Sequence, residues 1–148
     1  METKAKSSTS NLLGKLLKTT NIEHFIHVND DNMQLPSFHL YLTQKCKEIG
    51  EVPERIINRA DIESSYGHQI FKGSRMPSRD KVIQLAFGFG FGLEETQTLL
   101  QVAQYSPLYP KIKRDAVLIF CLGHKRGMIE TQALLHELGL KLLGGERE

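Results

Sequence analysis

The stretch Val52–Arg79, VPERIINRADIESSYGHQIFKGSRMPSR, decides how the chain is read. It predicts two short helices separated by a tight turn. The first runs from about Val52, with Pro53 in the opening turn, where a missing N–H costs nothing; Ile56, Ile57 and Ala60 form its inner face. The second runs from about Glu63 to Phe71 or Lys72, and Gly73 supplies a left-handed terminal residue. Ser78 then caps a further helix, with Asp80 favourably placed in its first turn.

Upstream, Pro36-Ser37 opens a helix carrying Phe38, Leu40, Tyr41, Leu42, Cys46 and Ile49, and Gly50 ends it. Before that lies an arm of two amphipathic pieces. Leu12, Leu13, Leu16 and Leu17 share one face, and Ile22, Phe25 and Ile26 share another. Thr19-Thr20 separates them, Asn21 is placed to cap the second piece, and Asn29–Asn32 reads as a loop. The apolar stripe of this arm, residues 11–35, needs a partner in the main body or in a second copy. Residues 1–10, METKAKSSTS, are small and polar and are expected to be disordered.

Downstream, Phe87-Gly-Phe-Gly-Phe-Gly92 alternates like a strand, but three glycines make a poor one. It is expected to be the frayed end of a helix and a loop whose phenylalanines plug the core. A dinucleotide fingerprint fails here, because Leu93 stands where the third glycine belongs. Arg79–Leu100 also aligns with Arg114–Leu135 at a shift of 35 positions, with ten identities in 22. Chance would give about one or two, and a period of this size signals a repeated helical unit within a larger array. Each copy reads helix, glycine-bounded turn, helix. Glu95-Thr96-Gln97 and Glu130-Thr131-Gln132 read as helix-start chemistry, and Leu99, Leu100, Leu134 and Leu135 as core.

The 148 residues, 40% of them hydrophobic, suit one compact body: a domain over 36–104 and a helical hairpin over 105–148 packed with it. No apolar run approaches the roughly 20 residues of a membrane span, and the charge-interrupted LLGKLLKTT is not a signal peptide. A cytoplasmic location with no membrane partner is the expectation. Cys46 and Cys121 then read as buried, reduced thiols. The six histidines are scattered without a ligand set, so no metal and no cofactor is implied. No nucleophile–base pair, carboxylate dyad or phosphate loop stands out, so the chain is not expected to be an enzyme. The net charge is only +2, and 37–79 holds seven Lys/Arg against five Asp/Glu. Any basic footprint must come from arrangement.

Ala60, Ile70, Gly73, Arg75, Pro77 and Ser78, with Leu93-Glu94-Glu95, resemble the phage-repressor-like (XRE-type) helix-turn-helix family. The likeness covers about Phe38–Leu100. Ser65–Gly73 resembles a bacterial group that reads Ser-Tyr-Gly-x-Gln-Ile-Phe-x-Gly. The resemblance implies an all-α, five-helix DNA-binding domain, often dimeric and usually a transcriptional regulator, here extended by the duplicated hairpin and the N-terminal arm. Helix 63–72 would be the recognition helix, offering Ser64, Ser65, His68, Gln69 and Lys72 to base edges, with Lys72, Arg75 and Arg79 on the backbone.

The sequence also departs from that family. Pro53 replaces a phosphate-contacting glutamine, Asp61 replaces the turn glycine, and Glu63 brings a negative charge to the helix start. Gly67 stands where an apolar anchor is usual, at a propensity cost of about 1 kcal/mol relative to alanine; Tyr66 is expected to supply the missing packing. Ala60 is expected where the two helices cross. The implied function is a sequence-specific regulator bound to double-stranded DNA. The alternative is a protein-interaction adaptor on the same scaffold. A homodimer would use the N-terminal leucines or a helix over Leu134–Leu143.

Overall fold

The computed structural model describes residues 9–33 and 36–144, and among them every regular element is helical. Contacts divide the chain into one unit up to residue 35 and another from Pro36 onward. The first unit holds α1 (Thr9–Lys18), α2 (Ile22–Val28) and a 3-10 turn over Asp30–Met33. Of the tail expected over residues 1–10, Thr9 and Ser10 instead open α1, and the rest lies outside the described residues. Asn21 caps α2, its side-chain oxygen accepting the His24 N–H at 3.0 Å. Leu13, Leu16 and Leu17 are exposed.

The second unit contains α3 (Phe38–Ile49), α4 (Pro53–Arg59), α5 (Ser64–Lys72), α6 (Arg79–Phe89), α7 (Leu93–Val102), α8 (Lys113–Gly123) and α9 (Met128–Glu137). Its centre is α6. Val82–Phe89 is apolar on nearly every side and buried on every side, as an all-round hydrophobic helix must be. The Phe-Gly repeat is therefore regular helix through Phe89, not a frayed end. Gly90 turns the chain with φ 76°, and Phe89 and Phe91 stack with ring centroids 4.8 Å apart.

Gly88 explains the packing. A Cβ there would stand 2.5 Å from the Ile56 carbonyl oxygen and 3.0 Å from the Ala60 Cβ, so α4 lies on α6 at backbone distance. Ala60 thus marks the approach of α4 to α6, and not the expected crossing of α4 with α5, where Gly67 meets Ile57 instead. Gly67 sits where α5 meets α4, since a Cβ would fall 2.6 Å from Ile57 Cγ2. The departure at position 67 is a close-packing residue, and its propensity cost is exchanged for contact. Gln84, buried on α6, donates to the carbonyls of Ala60 and Asp61 and ties down the turn between α4 and α5. Asp61 takes the left-handed conformation at φ 59°.

The repeat closes on itself. Arg79 pairs with Asp115 at 3.1 Å and Arg114 pairs with Asp80 at 2.8 Å, so each Arg-Asp dipeptide exchanges partners with its copy. Arg79 also donates to the carbonyls of Ser106 and Pro107, and Arg114 to those of Lys141 and Leu142. Gln97 makes two bonds with the Leu108 backbone, and Gln132 makes the same two with Leu143. Helix α6 packs on α9, and α7 on α8. When residue i meets j and the copy of i meets the copy of j in return, the relation is two-fold. The α6–α7 and α8–α9 hairpins are related by a pseudo-two-fold axis. A stacked array would have paired them in one direction.

Helix α9 ends at Glu137, short of the expected 134–143 helix, and the Leu140 N–H turns back to the Leu135 carbonyl at 2.9 Å. Leu135 and Leu143 belong to the core and are not available as an interface. Cys46 and Cys121 are buried free thiols, and burial, with Glu51 nearby, pushes the Cys46 thiol up. No helix among the described residues is long and apolar enough to cross a membrane.

Candidate nucleic-acid interface

Helix α5 has two unlike faces. Gly67, Ile70 and Phe71 are buried and hold it to the core. Ser64, Ser65, Gln69 and Lys72 are exposed, and His68 is half-buried on the same side. Side chains at i, i+1, i+4, i+5 and i+8 share one surface, so the sequence pattern alone brings these five together.

The N-terminal end of this surface is acidic. Glu63 stands at the N-cap, and its carboxylate accepts the N–H groups of Ser65 at 3.2 Å and Tyr66 at 2.9 Å. The carboxylate therefore occupies the amides that could otherwise receive a phosphate. Beside it, His68 Nε2 lies 2.6 Å from Glu54 Oε1, which ties that ring to α4.

The C-terminal end is basic. Lys72 is exposed, and Gly73 follows with φ 86°, its Cα packed under the His39 ring. The Arg75 guanidinium lies over the Tyr66 ring at 4.7 Å, and Lys81 Nζ approaches the same ring at 5.8 Å. Tyr66 is thus an aromatic platform under two cations and only partly a packing residue. Lys81 and His39 escaped sequence reading, because each reaches this end of α5 from another helix and has no local spacing signal.

Arg79 does not join the set. Four of the five N–H groups of its guanidinium are directed to Asp115 and to the carbonyls of Ser106 and Pro107, which ties the side chain to the second copy of the repeat. Of the seven residues expected to touch DNA, six lie on α5 or the loop after it, and Arg79 is a structural clamp of the repeat. The resulting surface runs from Glu63 and Glu54 at one end to Lys72, Arg75 and Lys81 at the other. The Gln69–Arg75 end is the one whose charge favours an anion. The chain matches no protein-family model, no curated protein and no solved structure.

Proposed function

We propose that this chain is a helix-turn-helix regulator that binds double-stranded DNA through α5. The observation that carries the reading is the polarity of α5: one face is locked to the core through Gly67, Ile70 and Phe71, and the other presents Ser65, Gln69 and Lys72. Gln69 can hold adenine through two hydrogen bonds, while Lys72 and Arg75 contact the backbone beside it. The capped, acidic start of α5 directs the contact to its C-terminal half. With so few cations, affinity should be weak and best detected at low salt.

The test is retention of duplex DNA at low ionic strength. Gln69→Ala and Lys72→Ala are expected to weaken retention with melting unchanged. Lys72→Ala should also reduce the slope of log affinity against log salt by about one. Failure of the unaltered chain to retain any duplex at low salt would sink the reading. A protein-interaction adaptor is the second reading, favoured by the Glu63 cap and the His68–Glu54 contact on the same surface. A partner whose contacts cover His68–Lys72 would support it.

A further inference from the structure

The pseudo-two-fold axis supplies an internal comparison. On α6, the outward face is covered by α4, with Gly88 as the point of closest approach. The corresponding residue on α8 is Gly123, and a Cβ built there meets nothing within 4 Å. Around it, the positions that are buried on α6 open to solvent on α8. Phe120 stands where Leu85 is fully buried, yet is 43% exposed, and Ile112 stands where Pro77 is buried, yet is 51% exposed. With half-buried Ala116 and Ile119, these residues form an apolar stripe at i, i+4, i+7, i+8 and i+11, facing outward.

One substitution sharpens the contrast. Gln84, which binds the end of α4, corresponds to Ile119, so the α8 face is the more apolar of the two. It keeps the glycine of a helix-docking face, with open space over it, and has lost the hydrogen bonds that Gln84 makes to the end of α4. The His124 ring packs on Phe120 at 4.2 Å, and the Arg126 guanidinium lies over it at 5.3 Å.

Charge identifies the occupant. The stripe is flanked by Lys111 and Lys113 at one end and by Arg126 at the other, while the Lys125 ammonium donates to the Gly90 carbonyl. The one carboxylate of α8, Asp115, is buried and paired with Arg79. Two α8 faces brought together, parallel or antiparallel, would set cations against cations. The α1 helix of a second copy, with Lys15 and Lys18 in its last turn, meets the same repulsion. An acidic helix does not.

We propose that the outward face of α8 is a docking site for an acidic amphipathic helix of a partner protein. That helix would cross at Gly123 with a small residue and lay its apolar side on Phe120 and Ile119, as α4 lies on α6. This is the helix-in-groove mode of recognition. The site is separate from α5 and does not rest on the DNA reading.

The probe is a fluorescent, stapled peptide with the Ile-Ile-x-x-Ala spacing of α4 on one face and glutamates on the others. A second peptide carries lysines in place of the glutamates. Against the full chain, the acidic peptide is expected to bind saturably by anisotropy, and the basic one at least about tenfold more weakly. Phe120→Asp and Gly123→Leu are each expected to weaken binding at least about tenfold, with thermal melting retained because both positions are exposed. Gln69→Ala should leave peptide binding unchanged.

Absence of acidic-peptide binding, or binding indifferent to Phe120→Asp, would overturn the proposal. So would a dimer in sedimentation that Phe120→Asp dissociates, which would make a second copy the occupant. Capture by anionic vesicles that is lost in Phe120→Asp would assign the face to a lipid surface instead.

Discussion

Thr96 and Thr131 occupy the same place in the two copies and differ by one hydrogen bond. The Thr96 hydroxyl donates to the Gly92 carbonyl at 2.8 Å, whereas the equally buried Thr131 hydroxyl has no partner among the described residues. A buried polar group without a partner carries its full desolvation penalty, about 1–3 kcal/mol. Thr131→Val is therefore expected to be neutral or to stabilise the chain by about 1 kcal/mol, and Thr96→Val to destabilise it by about as much. Chemical denaturation of the two variants checks this, and equal losses in both would contradict it. Identity of sequence made the two threonines look equivalent, as the shared Glu-Thr-Gln block suggested. The backbone bonds match, Thr96 N–H to the Gly92 carbonyl at 3.1 Å and Thr131 N–H to the Gly127 carbonyl at 3.0 Å, so only the setting of the hydroxyl differs, and no spacing rule carries that information.

At the scale of elements, the paired glycines behave oppositely. Gly88→Ala must push α4 away from α6, because the obstacle is the Ile56 backbone, and a cost of about 1–3 kcal/mol is expected. Gly123→Ala enters open space in the last turn of α8 and should be neutral or stabilising by up to about 1 kcal/mol. Thermal melting of both variants separates them; a loss at Gly123 would mean its face is already covered. The helices themselves were legible. Pro53, Gly73 and Ser78 mark ends through local sterics and hydrogen bonds, and Leu99, Leu100 and Leu135 mark the buried sides. The end of α6 was not legible: three glycines argue against helix locally, but only Gly88 lies within α6, where burial of Phe87 and Phe89 outweighs its propensity cost, and Gly90 ends the helix.

For the whole molecule, the crossed pairs hold the loops at 106–109 and 141–144 against both copies. The Gly144 N–H donates to Asp80 and the Tyr109 N–H to Asp115, at 3.0 Å each. Burial pushes the Asp80 carboxyl upward, but the Arg114 and Gly144 hydrogen bonds and the charges of Arg114 and Lys141 outweigh it. Its pKa is held below the ordinary Asp value. A depressed carboxylate stabilises the fold above the unfolded value of about 3.9, and that stability is lost as pH falls through the lower folded value. Denaturation midpoints should therefore drop below about pH 4, and Asp80→Asn should be less stable at neutral pH and lose part of that acid dependence. An unchanged acid profile in the variant would assign the dependence to other carboxylates.

The amino-acid sequence by itself determined the helical class, the helix ends marked by Pro53, Gly73 and Ser78, the polar face of α5 and the 35-residue repeat. All of these follow from periodicity and from bonds made within a few residues. Only the tertiary structure decided that the repeat is a closed pair and that Arg79 serves it. Only the fold decided that Gly67 and Gly88 are packing contacts, and that α8 presents outward the face that α6 buries. Those outcomes depend on groups such as Arg79 and Asp115, 36 positions apart, whose meeting is set by how whole helices dock and by no pattern along the chain.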